Sequence, residues 1–286
     1  MKHLDRPLPN LGGLVLAGSI LLLFALGALG DRPPDTVAPE VANERELTGR
    51  DIYTRVLENR FQSFRQTARL TSGDRAGNEQ VTVFEMWFED KLENSTADDE
   101  VTSRTLVRYL EPFELRHTGY LILNRRKETS DQFVYLASER RIRRVNLRGE
   151  PVFGSDFSFE DVLPREADDF SYTRLVDEAI DGVPVFVVEA VPHEKKQSEY
   201  SKLRIYIEKE RSLPLRTRYW NKREIEIKTL GVDRPTIEKI DDVWIPKQMT
   251  MRSLRRGTYT RMTVEEVEPN VQLENNTFEM RRLIGH

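Results

Sequence analysis

Short runs in which apolar and polar residues alternate constrain the fold of this chain more than any other feature. Between residues 202 and 208, Leu203, Ile205 and Ile207 alternate with Lys, Arg, Tyr and Glu. Because successive side chains of a β-strand point to opposite faces, this period of two predicts strands with one buried face. Comparable runs cover residues 81–88, 105–110, 119–123, 133–136, 183–191, 213–219, 225–227, 249–251 and 259–264.

The runs follow one another at roughly ten-residue spacing and are separated by Gly, Pro, Asn or Asp, which favour turns. No helical stretch lies between consecutive runs, so parallel strands joined by crossover helices are disfavoured. The 32% share of charged residues suits antiparallel sheets with one face in solvent. We therefore predict a mostly antiparallel β fold with a few helices, whose up-and-down sheet curls into an open, incomplete barrel.

One helix is predicted near residue 50. Thr48 can cap a helix that begins at Gly49, and apolar residues at helical spacing then form one stripe that reaches Phe61.

A second, short helix is predicted in the stretch from Gly154 to Pro164, which separates two runs of strands. Ser158 is suited to the N-cap position, Asp161 follows three residues later, and Pro164 ends the helix. A helix in the middle of a curved sheet can close its open side, so we interpret this stretch as a lid over the barrel. The alternative is that the same residues cap a helix that simply packs in the core.

The N-terminal segment predicts export. Residues 11–30 carry no charge, Lys2 and Arg6 precede them, and small residues occur at their end. This order is typical of a secretory signal peptide, so residues 1–30 are predicted to be removed and the protein to be periplasmic. An uncleaved inner-membrane anchor is the alternative, since such a run can span a bilayer.

The rest of the chain is predicted to contain a linker and one domain. Residues 31–47 are rich in Pro, Glu and Asp and predict a flexible linker. Residues 48–286 are predicted to form a single open barrel, and the protein to be a monomer.

Composition excludes several kinds of function. The net charge is -4 with both signs interspersed, so nucleic acid is not an expected partner. The absence of cysteine removes disulfides, thiolate nucleophiles, thiolate metal sites and the lipid-attachment cysteine of a bacterial lipoprotein.

Catalytic motifs are not found in the sequence. The histidines at positions 3, 117, 193 and 286 lack metal-binding spacing, and GxSxG, P-loop and GxGxxG patterns are missing. Acidic clusters lie in polar turns, where solvated carboxylates are the simpler interpretation. We predict no catalytic residue, no metal, no cofactor and no enzymatic activity; a hydrolase that uses dispersed carboxylates ranks last.

Aromatic residues on the predicted strands and the lid are candidates to line a cleft that buries an acyl chain. A closed core could also absorb them. The candidates are Phe84, Trp87, Phe88, Tyr109, Tyr120, Phe133, Tyr135, Phe157, Phe159 and Tyr219.

The densest basic stretch, residues 140–144, has two interpretations. Arg141, Arg143 and Arg144 are predicted to contact an anionic headgroup or a protein partner, because arginine binds phosphate and carboxylate bidentately. The alternative is an exposed strand.

The stretch from Val107 to Val162 resembles the LolA-like group of outer membrane lipoprotein-sorting proteins. It contains VRYLEPFELRHTGYLILN, DQFVYLASERRIRRV and VFGSDFSFEDV, and residues 214–230, 241–253 and 267–278 also resemble this group. Tyr120 and Ala137 replace a threonine and a proline that are usual there. The most specific part is the lid signature: Gly154, Ser155, Asp156, Phe157, Ser158, Glu160 and Asp161.

This resemblance implies a LolA/LolB-like incomplete barrel whose helical lid closes a hydrophobic cavity for acyl chains. The implied function is a periplasmic carrier or chaperone that binds acyl chains of lipoproteins or free lipids. It would pass them to a membrane transporter or receptor protein. The alternative is a non-enzymatic accessory subunit of a membrane exporter without a bound lipid.

Overall fold

The structure is a computed structural model. It describes residues 44, 46–91, 101–125, 130–146, 149–152, 154–162, 165, 167–194, 198–274 and 276–284. The predicted signal peptide or anchor and most of the predicted linker lie outside these residues. Within the described part of the chain, no helix combines the length and the apolar character that a membrane span requires.

Helix α1 (Gly49–Glu58) begins where the sequence predicts it. The backbone N–H of Asp51 donates to Oγ1 of Thr48 at 3.2 Å, and the Asp51 carboxylate accepts the Thr48 N–H at 2.9 Å. The Thr48 hydroxyl donates to the same carboxylate at 2.6 Å, and this hydrogen bond, together with that from the Thr48 N–H, holds the pKa of Asp51 below its ordinary value. The helix ends three residues before Phe61, because the Asn59 side chain exchanges two hydrogen bonds with the backbone of Trp244 instead.

Strands make up most of the remaining structure. Two further short helices occur, α2 (Phe159–Val162) and α3 (Met280–Leu283). The strands among the described residues are β1 (Ser63–Gly73), β2 (Glu79–Asp90), β3 (Val101–Glu111), β4 (Gly119–Arg125), β5 (Asp131–Leu136), β6 (Arg141–Val145), β7 (Phe170–Arg174), β8 (Glu178–Ile180), β9 (Val183–Pro192), β10 (Tyr200–Glu208), β11 (Leu213–Asn221), β12 (Glu226–Val232), β13 (Ile237–Ile240), β14 (Val243–Pro246), β15 (Gln248–Ser253) and β16 (Thr258–Pro269).

One large sheet has the order β6-β5-β4-β3-β2-β1-β16-β15-β12-β11-β10-β9-β7, with β8 beside β9, and its ladders are antiparallel. Strands β13 and β14 form a separate hairpin. The edge strands β6 and β7 do not pair with each other, so the sheet is open, which confirms the predicted fold class. We call β1–β6 the N-terminal wing, and β7–β12 with β15 and β16 the C-terminal wing.

The path of the chain through the sheet differs from a single up-and-down meander. Two meanders meet where β1 pairs with β16, so the first and last strands of the described residues lie side by side at the centre. Strand β1 was not among the predicted runs, because Gln66 interrupts its apolar alternation. The register of the central pair shifts between Thr67 and Ala68, which is the signature of a β-bulge.

The main core shows that the sheet curves. Tyr109 and Tyr120 of the N-terminal wing belong to the same buried cluster as Phe186 and Leu203 of the C-terminal wing. Residues of α1 and of the 150s segment complete this cluster. The 150s segment contacts both β4 and β10, which lie far apart in the strand order, so the sheet bends around this core. We call this inner face concave and the outer face convex.

A second cluster covers the convex face of the N-terminal wing. Leu106, Leu121 and Tyr135 pack there against Phe278 and Leu283 of the C-terminal segment. Leu283 is 0% exposed, so α3 forms part of the fold rather than a loose end. A third, smaller cluster lies on the convex side of the C-terminal wing and contains Val185, Val187, Tyr206 and Leu215.

Candidate functional site

The described part of the predicted lid, residues 154–162, connects the wings on the concave side of the sheet. Gly154 has a φ of 69°, the left-handed region that glycine adopts without strain. The N–H of Val152 donates to the carbonyl of Phe157 at 2.8 Å, which closes a tight loop before α2. Phe157 and Phe159 are 3% and 4% exposed. Most of the segment is therefore buried in the core, whereas Gly154 and Val162 at its described ends are exposed.

Ser158 and Asp161 form the predicted cap of α2. The N–H and Oγ of Ser158 both donate to Oδ2 of Asp161, at 2.7 and 2.8 Å. The predicted start of the helix is thus confirmed. Its predicted end at Pro164 lies outside the described residues.

Asp161 also joins the lid to the C-terminal wing. It forms an ion pair with Lys228 of β12, and these side chains are 1% and 10% exposed. The hydroxyl of Tyr200 donates to Oδ1 of Asp161 at 2.8 Å. Burial, reinforced by the Asp161 charge, raises the pKa of Tyr200 and of Tyr219 well above the ordinary tyrosine value. Both tyrosines are therefore neutral hydrogen-bonding groups around a buried charge pair.

Asp156 makes a second polar anchor. Its carboxylate accepts hydrogen bonds from Nη2 of Arg256 at 2.5 Å and from Oγ1 of Thr258 at 2.6 Å. The Asp156 N–H donates to Oγ1 of Thr260 at 2.8 Å. These partners lie on β16 or in the turn before it, so this anchor also belongs to the C-terminal wing.

Glu160 makes a third anchor. Its carboxylate accepts hydrogen bonds from Oγ of Ser198 and, at 2.9 Å, from the N–H of Glu199. The acidic residues of the lid signature thus all bind the C-terminal wing.

The lid contacts the N-terminal wing through packed aromatic side chains. The ring of Phe159 meets Tyr120 of β4 edge-on, with 4.8 Å between ring centroids. Tyr120 continues to Tyr109 at 6.1 Å, and Tyr109 to Phe84 at 6.1 Å. Burial raises the pKa of Tyr109 and of Tyr120. The lid is thus bound to one wing by charges and packed against the other through rings.

Family comparison adds to this geometry. A model of a family described as "uncharacterized protein" matches residues 101–284, which is more than half of the chain. The chain belongs to that family. A second model, DUF1329, a protein of unknown function, matches residues 51–149. No curated protein matches the chain.

Solved structures identify the fold. A DUF1329 family protein from Desulfovibrio piger is 25% identical, with a TM-score of 0.76 over 82% of this chain and 97% of that chain. An outer membrane lipoprotein-sorting protein domain from Vibrio parahaemolyticus is 21% identical, with a TM-score of 0.73 over 82% and 98%. A LolA superfamily protein from Nitrosomonas europaea is 17% identical, with a TM-score of 0.66 over 82% and 99%. The chain has the LolA-like fold, as the resemblance predicts.

Within the LolA-like sheet, the predicted cleft aromatics occupy both faces. Trp87, Phe133 and Tyr135 pack on the convex face with the C-terminal segment, away from the lid. Phe88 stacks on Phe64 at 5.2 Å. The residues that the structure brings together in the main core are Phe84, Tyr109, Tyr120, Phe157, Phe159 and Tyr219. Whether these residues line a ligand cleft stays a prediction.

The predicted basic contact lies on the edge strand β6. Arg143 pairs with Glu139, Arg144 pairs with Asp131, and Arg141 is exposed. Charged side chains on an edge strand also discourage pairing with another chain. The predicted headgroup or partner role of these arginines stays a prediction.

Two basic residues of the core have no counterpart in the prediction. Lys228 precedes Leu230 by two positions and shares its buried face. A lysine on the apolar side of a strand is a signal that could have drawn attention to it. Arg165 follows the lid, and its Nη2 is buried without a hydrogen-bond partner among the described residues. A buried donor without an acceptor is unusual enough to require an explanation.

The surroundings of His193 bear on the enzyme alternative. Its Nε2 lies 2.9 Å from Oγ of Ser171, and its Nδ1 faces the backbone carbonyl of Asp168 at 3.1 Å. The pair is exposed, and a carbonyl stands where a catalytic triad has a carboxylate. Within the described part of the chain, no cluster of three metal-binding side chains occurs.

Proposed function

We propose that the protein is a periplasmic carrier that binds the acyl chains of lipids or lipoproteins between the lid and the N-terminal wing. The observation that carries this proposal is the unequal attachment of the lid. Its carboxylates bind the C-terminal wing, whereas Phe159 packs on Tyr120 of the N-terminal wing. Separation of aromatic rings leaves no charge unpaired, so the lid can part from this wing and stay attached to the other.

An acyl chain fits the surface that such a movement exposes. Phe84, Tyr109 and Tyr120 offer apolar ring surface, and each buried CH₂ contributes about 0.8 kcal/mol. Tyr109 and Tyr120 also carry hydroxyl groups, which can donate to an ester oxygen of the lipid. The site therefore suits an amphipathic ligand better than a plain hydrocarbon.

The wider role follows from the same proposal. Residues 1–30 direct export, either as a cleaved signal or as an anchor. With no cysteine for lipidation, the protein acts as a monomeric carrier that passes its cargo to a membrane transporter or receptor. The solved relative from Vibrio parahaemolyticus is described as an outer membrane lipoprotein-sorting protein domain, which supports this direction.

Mass spectrometry of lipids extracted from the purified protein tests the proposal. We expect a bound acyl species in the unmodified protein and at least a threefold lower occupancy in Phe159→Ala. The matched control is Tyr135→Ala, which removes a similarly buried ring from the convex face of the N-terminal wing, away from the lid. A protein that carries no acyl species, or equal losses in both variants, would refute the proposal.

The alternative function is an accessory subunit of a membrane exporter without a lipid. The dense packing of the concave core favours it, because Tyr109, Tyr219 and Leu203 are each 1% exposed. The same purification separates the two functions. A stable complex with a membrane protein and no extracted acyl species would support the accessory subunit.

A further inference from the structure

The convex face of the C-terminal wing carries a groove of about 810 Å³. Side chains of β11, β12, β15 and β16 line most of it, and four of them are arginines: Arg216, Arg218, Arg252 and Arg261. The lid and the aromatic core lie on the opposite face of the sheet, so this groove is separate from the proposed acyl site.

Strand register explains why the arginines converge. Partners across antiparallel strands lie on the same face, as do residues two apart along a strand. The groove contains two cross-strand rows: Arg216, Gly231, Thr250 and Arg261 form the first, and Arg218, Thr229 and Arg252 form the second. Small residues thus form the floor and arginines the rim. A Cβ built on Gly231 meets no atom within 4 Å, so the space above the floor is open.

The charges of the groove are poorly compensated. Arg218 pairs with Glu226, and the guanidinium of Arg252 lies 5.9 Å from the ring of Tyr259. Among the described residues, Arg216, Arg252 and Arg261 have no ion pair, although all three are exposed. The convex-face arginines of the neighbouring strands do have carboxylate partners: Arg65 pairs with Glu85, Arg69 with Glu265 and Arg204 with Glu189.

Two carboxylates set the polarity of the groove. Glu178 and Asp233 line it beside Gln248, toward the end where β12 stops. Arg218 and Arg252 lie toward the opposite end. Four arginines against two carboxylates leave the lining positive, with the charge concentrated away from the acidic end.

We infer that this groove binds a phosphate group, carried either by a phospholipid headgroup or by a small soluble molecule. Guanidinium groups match the oxygens of phosphate with paired hydrogen bonds, and they do so more specifically than lysine. The hydroxyls of Thr229 and Thr250 can donate from the floor. The polar lining offers little to an acyl chain. This site adds a second ligand to the protein and does not depend on the proposed acyl carrier function.

Binding measurements on the full chain test the inference. One arm titrates inorganic phosphate and glycerol 3-phosphate by calorimetry. The other arm sediments the protein with phosphatidylcholine vesicles, with or without phosphatidylglycerol. Residues 1–30, which include Lys2 and Arg6, are the same in every variant, so the readout is the part of the phosphatidylglycerol-dependent binding that the groove variants lose.

Two variants and a control make the test specific. Arg216→Gln with Arg252→Gln should weaken binding about tenfold or more, because charge-assisted hydrogen bonds are lost. Gly231→Asp keeps every arginine and puts a carboxylate in open space, and it should abolish binding. Arg223→Gln removes the same charge from an exposed turn outside the groove and should leave binding unchanged.

Each possible outcome either supports phosphate binding in the groove or refutes it. Soluble phosphates that bind and lose affinity in both groove variants support the inference and identify a soluble ligand. A phosphatidylglycerol-dependent difference that both groove variants lose supports it with a lipid headgroup as the source. The inference is wrong if neither arm shows binding, or if Arg223→Gln reduces binding as much as folded groove variants do. Circular dichroism establishes that each variant is folded.

Discussion

The two wings belong to one hydrogen-bonded sheet, but their surfaces differ in chemical character. On the convex side, β3, β4 and β5 of the N-terminal wing carry an apolar cluster that the C-terminal segment covers, whereas β11, β12, β15 and β16 of the C-terminal wing carry an open groove of arginines. On the concave side, the N-terminal wing offers rings to the lid and the C-terminal wing offers charges. Because side chains alternate along each strand, the two faces of a wing can be selected independently.

The largest expected effect comes from breaking the buried charge pair that joins the lid to the C-terminal wing. Asp161→Ala leaves Lys228 buried without its partner, which should lower the free energy of unfolding by about 3–5 kcal/mol. Urea denaturation measures this loss. The control Glu139→Ala breaks an exposed pair of the N-terminal wing and should cost at most about 1 kcal/mol. Equal losses in the two variants would contradict the contrast between the wings.

A somewhat smaller loss of stability is expected when the packing of α3 on the convex face of the N-terminal wing is weakened. Leu283→Ala removes a fully buried side chain from α3 and should cost about 2–4 kcal/mol in the same measurement. Ile284→Ala, at the adjacent position, is the control; it is 40% exposed and should change stability by less than about 0.5 kcal/mol. If Leu283→Ala were as mild as its control, α3 would not stabilise this wing.

Lid movement is expected to change distances rather than stability. The cysteine-free chain allows spin labels at Val162→Cys in the lid, paired with Glu114→Cys in the N-terminal wing or Arg223→Cys in the C-terminal wing. Addition of an acyl lipid should lengthen the distance from position 162 to position 114 and leave the distance to position 223 unchanged. Pulsed electron paramagnetic resonance measures both distances. A lid that moved away from the C-terminal wing instead would reverse this result.

The smallest expected effect concerns Asp131, at the start of β5. The hydrogen bond from Arg125 and the charges of Arg125 and Arg144 lower the pKa of Asp131. A carboxyl group whose pKa is lower in the folded state stabilises the protein above its unfolded pKa, about 3.9, and this contribution disappears as the pH falls through the folded pKa. Asp131→Asn should therefore cost at most about 1 kcal/mol at neutral pH, since its partners are partly exposed.

The pH dependence of that difference is the measurement. Thermal unfolding of Asp131→Asn and of the unmodified protein should converge in acid, below the folded pKa. A difference that persists there would show that the side chain acts through packing instead of charge.

Local patterns predict the elements whose signals lie within a few residues. The alternation of Leu203, Ile205 and Ile207 predicts β10, and the spacing of Ser158 and Asp161 predicts the start of α2. Strand β1 was not predicted, because Gln66 occupies a position where alternation requires an apolar residue. Hydrogen bonding within the sheet, which depends on the backbone, tolerates this.

Contacts between distant segments could not be predicted in the same way. Alternation assigns Trp87 and Phe84 to different sides of β2, but it does not say which side faces the lid. Asp161 and Lys228 are separated by 67 residues, and Asp156 and Arg256 by 100. Only the order of the strands brings these charges together, and that order depends on the pairing of β1 with β16.

The pairing of β1 with β16 has a consequence for how the protein folds during its synthesis. The hydroxyls of Ser72 and Thr260 lie 3.0 Å apart across β1 and β16, although 188 residues separate them along the chain. Translation delivers β1 long before β16, so the central pairing can form only after β16 has been made. Folding that depends on so distant a contact is slow. A nascent chain of this topology cannot complete its core before β16 has been made.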